Sequence, residues 1–481
     1  MTTARLIIKD EVNVKIEGLE LTDRKKLVEK FKYEIPGARY LPAVRLGRWD
    51  GKVPYFNLGG TTYINLLPDI LPYLEERGYD INVDDVREYS TTLDLGQVVE
   101  TSFFHRHWPD GRPIILRDYQ VEIINRFLKN PQCIQEVATG AGKTIMTAAL
   151  SASVQHLGRS IVIVPSKSLV TQTEADYKNM GLDVGVLYGD RKEYTKKHTI
   201  CTWQSLNALV KNTKNYEADV TIHDFIEDVV CVMVDEAHSA KADALNSMLT
   251  TIFARIPIRW GLTGTVPKED FAFQALNCCL GPVVGQLSAS ELQEQGHLSN
   301  CHVNVVQMVD YVEYKDYQQE LKYLLETEKR IDYMASMINK IAETGNTLVL
   351  VDRVGPGKLL ASKINNAVFV SGATKAKARK DEYDDFAVAD GKIAVATYGI
   401  AAVGINIPRI FNLVLIESGK SFTRVIQSIG RGIRRAEDKD FVQIWDITST
   451  CKFAKRHLTK RKSFYKDANY PFSIEKTEWQ S

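Results

Sequence analysis

Short, mainly apolar runs recur along this chain in two successive blocks, each run separated from the next by a helix-length segment. The first block holds Ile134–Val137, Ser160–Val164, Val184–Leu187, Thr199–Thr202, Val229–Val234 and Arg259–Leu262. The second holds Thr347–Val351, Ala367–Val370, Ile393–Thr397, Phe411–Ile416 and Val442–Asp446. A strand covered on both faces needs apolar residues at consecutive positions, whereas a strand with one wet face alternates. Buried strands alternating with helices fold as doubly wound α/β domains around a parallel sheet. The expected class is therefore α/β, with two tandem doubly wound parallel-sheet domains at 91–295 and 296–450.

The flanks read differently. Residues 1–90 form a small α+β accessory domain, with strand-like Arg5–Lys9 and Val12–Ile16. A helix-like stretch, Thr22–Phe31, is capped by Thr22. A part punctuated by Gly and Pro and a second helix-like stretch near Leu66–Arg77 follow. One amphipathic helix is expected from Gln318 to Thr344, with its apolar residues mostly on one face. Residues 451–481 read as a basic C-terminal tail: Ile447–Lys466 carries seven Lys/Arg and no acid.

At about 100–200 residues per domain, 481 residues fit three or four domains. The net charge is +1, so any nucleic-acid surface must come from local clustering. The seven cysteines include no C-x-x-C pair, which argues against a zinc site or a disulfide framework and for a reducing, cytoplasmic setting. The first residues do not read as a signal peptide, and no apolar run reaches membrane-spanning length. One cluster stands out: residues 24–52 carry nine basic residues against Glu29, Glu34 and Asp50, with Tyr33, Tyr40 and Trp49 interleaved. Arg45, Arg48, Trp49 and Lys52 are its candidate nucleic-acid contacts. Trp49 reads equally well as a base-stacking ring or as a core residue.

Chemistry concentrates at Gln135-Glu-Val-Ala-Thr-Gly-Ala-Gly-Lys-Thr144, which follows an apolar strand and precedes a helix-like segment, Ile145–Gln155. Small residues let the backbone N–H groups of Thr139, Gly140, Ala141 and Gly142 curl around phosphate oxygens at a helix N-terminus. Lys143 then reaches the β- and γ-phosphates, and Thr144 ligates Mg²⁺. Val137 stands where the strict phosphate-loop pattern has its first glycine. A second apolar strand ends in Val234-Asp-Glu-Ala-His238. Asp235 is the second candidate Mg²⁺ ligand, and Glu236 the group that orients and deprotonates the attacking water. The implied cofactors are ATP and Mg²⁺.

Asp235-Glu-Ala-His238 resembles the DEAH form of the second ATPase motif of helicase superfamily 2, whose motor is a pair of RecA-like domains. Leu116-Arg-Asp-Tyr-Gln120 resembles the adenine-reading segment, with Arg117 and Gln120 as nucleotide contacts. Val164–Gln172 and Thr202-Trp-Gln-Ser205 resemble loops that touch the nucleic-acid backbone, through Lys167, Thr202 and Gln204. Leu262-Thr-Gly-Thr265 resembles the coupling motif, joining Thr263 and Thr265 to His238. In the second block, Val351-Asp-Arg353 and Ser371-Gly372 resemble further strand contacts, through Arg353 and Ser371. Ala396–Asn406 resembles the fifth motif, with Gly404 at the nucleotide and Asn406 where the family often has Asp. Gln427-Ser-Ile-Gly-Arg-Gly-Ile-Arg434 resembles the sixth, in which Gln427, Arg431 and Arg434 serve the γ-phosphate. Ala38–Lys52 with Asn65–Tyr79 is similar to the accessory DNA-binding domain of the phage UvsW type of recombination helicase.

The resemblance implies ATP-driven unwinding and branch migration of forks, four-way junctions and R-loops in recombination, repair and replication restart, with 3′–5′ polarity. It implies DNA, single-stranded or branched, and RNA–DNA hybrid as partners, no membrane, single-strand-binding or recombination proteins as candidate protein partners, and a monomer. A phage-encoded chain would work in the host cytoplasm. An RNA helicase or a restriction-system translocase fits the motor motifs as well, and an ATP-switched annealing or clamp protein is the rival of another class.

Overall fold

The computed structural model describes residues 2–88, 93–108, 111–217, 219–241, 243–372, 374, 382, 385–386, 388–400, 407, 409–421, 425, 428–430, 432–434 and 436–480. The chain divides into two compact units, Met1–Val137 with Gly142–Gln286, and Leu287–Ser481 with Ala138–Ala141.

The first unit begins with β1 (Thr2–Ile8), β2 (Asn13–Glu17), α1 (Leu21–Lys30), β3 (Lys32–Glu34), α2 (Pro42–Arg45), β4 (Lys52–Pro54), β5 (Thr61–Tyr63), α3 (Leu67–Glu76) and β6 (Tyr79–Asp85). A four-stranded sheet runs β5-β2-β1-β6, and β3 and β4 form a separate hairpin. The residue at the N-cap of α1 is Glu20, and no side chain caps that end. The helix starts two residues earlier than a Thr22 cap requires, so Thr22 lies inside its first turn. The small domain is anchored around Asp23, which is 3% exposed and accepts hydrogen bonds from the Tyr73 and Tyr79 hydroxyls (2.9 Å each) and Arg77 Nε (3.0 Å). Burial opposes its charge, but these donors outweigh burial and hold the carboxyl below its ordinary range.

The unit continues with α4 (Asp118–Lys129), β7 (Gln132–Val137), α5 (Lys143–Val154), β8 (Arg159–Val164), α6 (Lys167–Asn179), β9 (Val184–Tyr188), β10 (Arg191–Lys192), β11 (His198–Thr202), α7 (Trp203–Lys214) and α8 (Ile222–Ile226). It closes with β12 (Val229–Asp235), α9 (Asp243–Thr250), β13 (Ile258–Thr263), α10 (Asp270–Leu280) and β14 (Val283–Leu287). The sheet order is β10-β9-β11-β8-β12-β13-β7-β14. Strands β9, β11, β8, β12, β13 and β7 pair in parallel. Parallel strands bring all their C-terminal ends to one edge, where such sheets place their ligands.

The small domain and this sheet share a core. Tyr55, Phe56, Leu66 and Ile70 pack in one apolar cluster with Ala275 and Cys278 of α10, and the Tyr55 ring meets Tyr33 and Phe271 edge-on, with centroids 5.7 and 6.3 Å away. The Glu11 N–H donates to the Ala254 carbonyl (2.9 Å), and Asn13 Nδ2 to that of Thr250 (2.9 Å). Residues 1–90, read as a separate domain, are thus continuous with the first α/β sheet. Arg259, at the head of an otherwise apolar strand, is fully buried. It donates to the carbonyls of Leu249 and Cys279, in the last turns of α9 and α10. A cation placed at two helix C-termini is favoured by both dipoles.

His198 in β11 is fully buried, with Nδ1 2.8 Å from Ser160 Oγ. Burial pushes its imidazole down to about 4. The unfolded chain takes up a proton near pH 6.5, while the folded chain stays neutral down to about 4. The stability from this group is therefore full above pH 6.5 and is lost as pH falls from 6.5 to about 4, by about 3 kcal/mol. His198→Asn, followed by urea unfolding across that range, is expected to flatten this slope; an unchanged slope would reject the assignment.

The second unit contains α11 (Ala289–Glu294), β15 (Asn300–Met308), α12 (Tyr317–Glu326), α13 (Glu328–Ala342), β16 (Thr347–Val351), α14 (Val354–Lys363), β17 (Ala367–Val370), β18 (Ile393–Thr397), β19 (Asn412–Ile416) and β20 (Phe441–Ser449). It ends with a helix, here α15 (Lys452–Asp467), and β21 (Phe472–Thr477). The sheet order is β17-β18-β16-β19-β20-β15-β21. The helix expected from Gln318 to Thr344 is two helices. Thr327 between them is extended (ψ 113°), and its hydroxyl bonds the Tyr323 carbonyl at 2.7 Å.

The basic tail is not a free extension. β21 pairs in parallel with β15, and α15 packs beside β20. Arg461 is fully buried, with Nε 2.9 Å from Asp446 Oδ2, which also accepts the Tyr465 hydroxyl at 2.8 Å. The first amides of α15 are satisfied from a distance: Glu320, itself buried, accepts the N–H groups of Phe453 (3.0 Å) and Ala454 (2.7 Å). Of the remaining cations, Lys452, Lys455, Arg456, Lys460 and Lys466 are exposed and Lys462 is half-buried. Among the described residues, no helix is long and apolar enough to cross a membrane.

Candidate functional site

The phosphate loop follows β7, and α5 starts directly behind it. Gly140 (φ 94°) and Gly142 (φ 84°) both have left-handed backbones that side chains disfavour. A Cβ at Gly142 would fall 2.8 Å from Gln120 Nε2, so the loop and the Gln120 side chain sit in close approach. Gln120 is itself 5% exposed, and its Oε1 accepts the Arg117 N–H at 3.0 Å. Arg117 Nη1 donates to the Tyr119 hydroxyl at 2.9 Å, which holds the start of α4 in shape.

The two halves of the ATPase motif meet within the first unit. Lys143 Nζ lies 3.2 Å from Glu236 Oε1, with both side chains largely shielded from water. Asp235, the last residue of β12, accepts the Glu236 N–H on Oδ1 at 3.0 Å. Glu236 has φ 53°, a conformation a non-glycine residue adopts only when its surroundings impose it. That turn carries the Glu236 carboxylate round to Lys143. His238 Nδ1 is 3.4 Å from Glu236 Oε2 and 3.0 Å from Thr263 Oγ1. The Thr263 hydroxyl donates to the Thr265 carbonyl at 2.9 Å. A polar chain therefore runs from the Glu236 carboxylate through His238 and Thr263 to Thr265 in the loop after β13.

These residues fit a nucleoside triphosphate with its divalent cation. The glycine curl leaves room for phosphate oxygens, Lys143 supplies a cation, and Thr144 and Asp235 supply oxygen ligands of the hard type magnesium prefers. Thr139, Gly140 and Ala141 form the turn itself, with the Ala141 N–H bonded to the Ala138 carbonyl at 3.3 Å.

A second concavity lies along the same sheet edge. Ser166 caps α6, its hydroxyl accepting the Leu169 N–H, and Thr202 caps α7 by accepting the Ser205 N–H at 3.3 Å. The beginnings of both helices line one groove of about 540 Å³. Lys167, Thr202 and Gln204, three expected nucleic-acid contacts from two motifs, meet there. Lys192 and Tyr194 line it as well. The sequence reading missed this pair because it sits around the β9–β10 hairpin, outside any recognised motif. Two helix N-termini with flanking lysines suit a phosphodiester backbone.

In the second unit, Arg434 makes an isolated bridge to Leu298. Lys439, which no sequence motif singled out, is 3% exposed and donates from Nζ to the Gly432 carbonyl at 2.7 Å. Burial and then the neighbouring Arg434 cation push its ammonium down to about 7. It braces the turn between Gly432 and Arg434. Arg353 stands at the start of α14, with Nη2 2.5 Å from Gln318 Oε1. Ser371 is 4% exposed, and its N–H donates to Thr374 Oγ1 at 3.0 Å, which leaves Gly372 as the exposed part of that turn. Gly404, Asn406, Gln427 and Arg431 lie outside the described residues.

On the small domain, Arg45, Arg48 and Lys52 are exposed and form no ion pair among the described residues. Trp49 is half-buried, with Nε1 donating to the Lys52 carbonyl at 3.0 Å. It sits in a surface loop rather than in the apolar core of the domain.

Two family models match the chain. That of the res subunit of type III restriction enzymes covers residues 113–268, and that of the helicase conserved C-terminal domain covers residues 307–436. The ATP-dependent DNA helicase UvsW of Enterobacteria phage T4 is 23% identical over 477 residues, which is 95% of this chain and 92% of that protein. The XPB helicase/translocase subunit of general transcription and DNA repair factor IIH from Schizosaccharomyces pombe is 22% identical over 429 residues, 82% of this chain but 52% of that protein. Among solved structures, Saccharomyces cerevisiae Dbp5 bound to RNA and ADP BeF3 superposes with a TM-score of 0.54 at 15% identity, over 76% of this chain and 91% of that one. The last likeness shows the shared fold of two RecA-like domains.

Proposed function

The chain is an ATP-dependent DNA helicase of superfamily 2, and from that premise we propose that it unwinds and remodels branched DNA: forks, four-way junctions and R-loops. The work belongs to recombination, repair and replication restart, with 3′–5′ movement, by a monomer acting in the cytoplasm of its cell or phage host. Single-strand-binding or recombination proteins are its expected protein partners. The observation that carries this reading is the exposed set Arg45, Arg48 and Lys52 on a small domain whose core is continuous with α10 of the motor. Duplex flanking a junction meets these cations while the motor holds a single strand.

The chain's own residues supply the chemistry. Lys143 exchanges its Glu236 partner for phosphate oxygens, which frees the carboxylate to take a proton from water. Thr144 and Asp235 hold magnesium, which when bound withdraws charge from the phosphoryl oxygens. Arg117 and Gln120 read the base, and Gly404 contacts the nucleotide. Gln427, Arg431 and Arg434 complete the γ-phosphate site, with Arg431 and Arg434 as arginine fingers worth about 10³–10⁵ in rate. The chain from Glu236 through His238 to Thr263 and Thr265 reports the nucleotide's state to the nucleic-acid side. Lys167, Thr202 and Gln204 hold the backbone in the groove, with Arg353 and the Ser371 turn holding it on the second domain. The exposed cations of α15 neutralise further phosphates.

The test is strand displacement on a fork, a four-way junction and an RNA–DNA hybrid, with and without ATP. The chain carrying Arg45→Glu and Arg48→Glu is expected to bind forks about tenfold more weakly, with its single-strand-stimulated ATPase little changed. Equal loss of both would reject the docking role. Preferential displacement of RNA duplexes would make it an RNA helicase. ATP hydrolysis without displacement would point to a translocase or a clamp.

A further inference from the structure

No recognised motif supplies the element that parts the strands, yet the small domain carries a feature with the required chemistry. The segment from Ala38 to Lys52 is stiff. Ala38 is 1% exposed, and a Cβ at Gly51 (φ 76°) would fall 2.7 Å from the Ala38 Cβ, so the segment's two ends are locked together. The Ile35 N–H donates to the Gly51 carbonyl and the Arg48 N–H to that of Ala43, each at 2.9 Å. On this frame Tyr40, Leu41 and Leu46 are 69%, 42% and 64% exposed. A braced loop that leaves three large apolar side chains in water presents them to a partner. Tyr40 is held as well: the Arg39 guanidinium lies 4.9 Å from its ring centroid, and Arg39 Nη2 donates to its hydroxyl at 2.9 Å.

The surroundings choose the partner. Arg45, Arg48 and Lys52 flank the apolar tip in sequence and are exposed. The matching surface is flat and apolar in the middle and anionic at its rim. The end of a DNA duplex, with a stacked base pair inside and phosphates outside, has that character.

We propose that the Ala38–Lys52 loop is the strand-separating pin, with Tyr40, Leu41 and Leu46 abutting the first base pair at a fork. Tyr40 offers a ring on which an unpaired base stacks, replacing the stacking lost as the pair opens. The loop springs from the β3–β4 hairpin, whose Tyr33 and Val53 pack on the apolar cluster shared with α10, so the pin has a buried base to brace it when duplex is drawn against it. The proposal rests on the reading that the chain opens forks.

The test compares the full chain with its Tyr40→Ala, Leu46→Ser variant. Both positions are exposed, so the fold should be kept. The expected result is fork unwinding slowed at least about tenfold, with ATPase on single-stranded DNA and affinity for the fork held within about twofold. A 2-aminopurine at the first base pair of the fork should brighten when the unmodified chain binds with a non-hydrolysable ATP analogue, and stay dim with the variant. Unwinding at the unmodified rate, or a parallel fall in ATPase, would overturn the pin. Failure of the unmodified chain to open any fork would instead overturn the branched-DNA reading, so the two failures are separable.

Discussion

Glu236→Gln stops ATP turnover, lowering kcat by about 10²–10⁴, while single-stranded DNA still binds. The amide keeps the size of the side chain and its place in the left-handed turn after β12, so the loss isolates the proton-accepting role. The variant also weakens the hold on Lys143, which is 3.2 Å away, so nucleotide affinity should rise slightly or stay constant. Lys143→Ala behaves differently. It removes the cation that meets the phosphates, so nucleotide affinity falls together with turnover. Phosphate release measured with saturating single-stranded DNA, beside equilibrium binding of a fluorescent ATP analogue, separates the two. Full turnover in either variant would mean that the catalytic site lies elsewhere.

The second large effect concerns stability. Arg461→Ala is expected to cost about 3–5 kcal/mol, because it leaves the Asp446 carboxylate buried without its cation. Both side chains are fully buried, and Arg461 also ties α15 to the Gly419 carbonyl at 2.8 Å. In a unit of this size that corresponds to a melting point lower by roughly 10 °C. The double variant Asp446→Leu, Arg461→Met should recover most of the loss, since apolar replacement removes both desolvated charges together. Thermal and urea melts of the full chain decide the point. A shift of about 1 °C for Arg461→Ala would show that α15 contributes little to the second sheet.

Which parts of this were legible in the sequence follows from local pattern. Strands such as Thr347–Val351 and Ile393–Thr397 coincide with their apolar runs, because both faces are covered and no polar residue interrupts them. β15 was invisible: Asn300-Cys-His-Val-Asn-Val alternates polar and apolar residues, as its near-edge position between β20 and β21 allows. β21 and α15 were hidden by composition. A basic segment reads as solvated unless its one buried arginine is known to have a carboxylate waiting, and Asp446 lies fifteen residues earlier in another element. At the site, the motifs located Lys143, Glu236, His238 and Thr263 because short spacings fix them to adjacent strand ends. Lys192, Tyr194 and Lys439 act through tertiary neighbours, and nothing in their local sequence marks them.

The continuity of the small domain with α10 carries an evolutionary corollary. Phe271, Ala275 and Cys278 would become a bare greasy face if residues 1–90 were lost. A shortened descendant could therefore survive only by acquiring polar residues on that helix at the same time, and the accessory module cannot be shuffled between motors as a cassette. Module and motor should melt together as one cooperative block, and a transplant would need to bring its own α10.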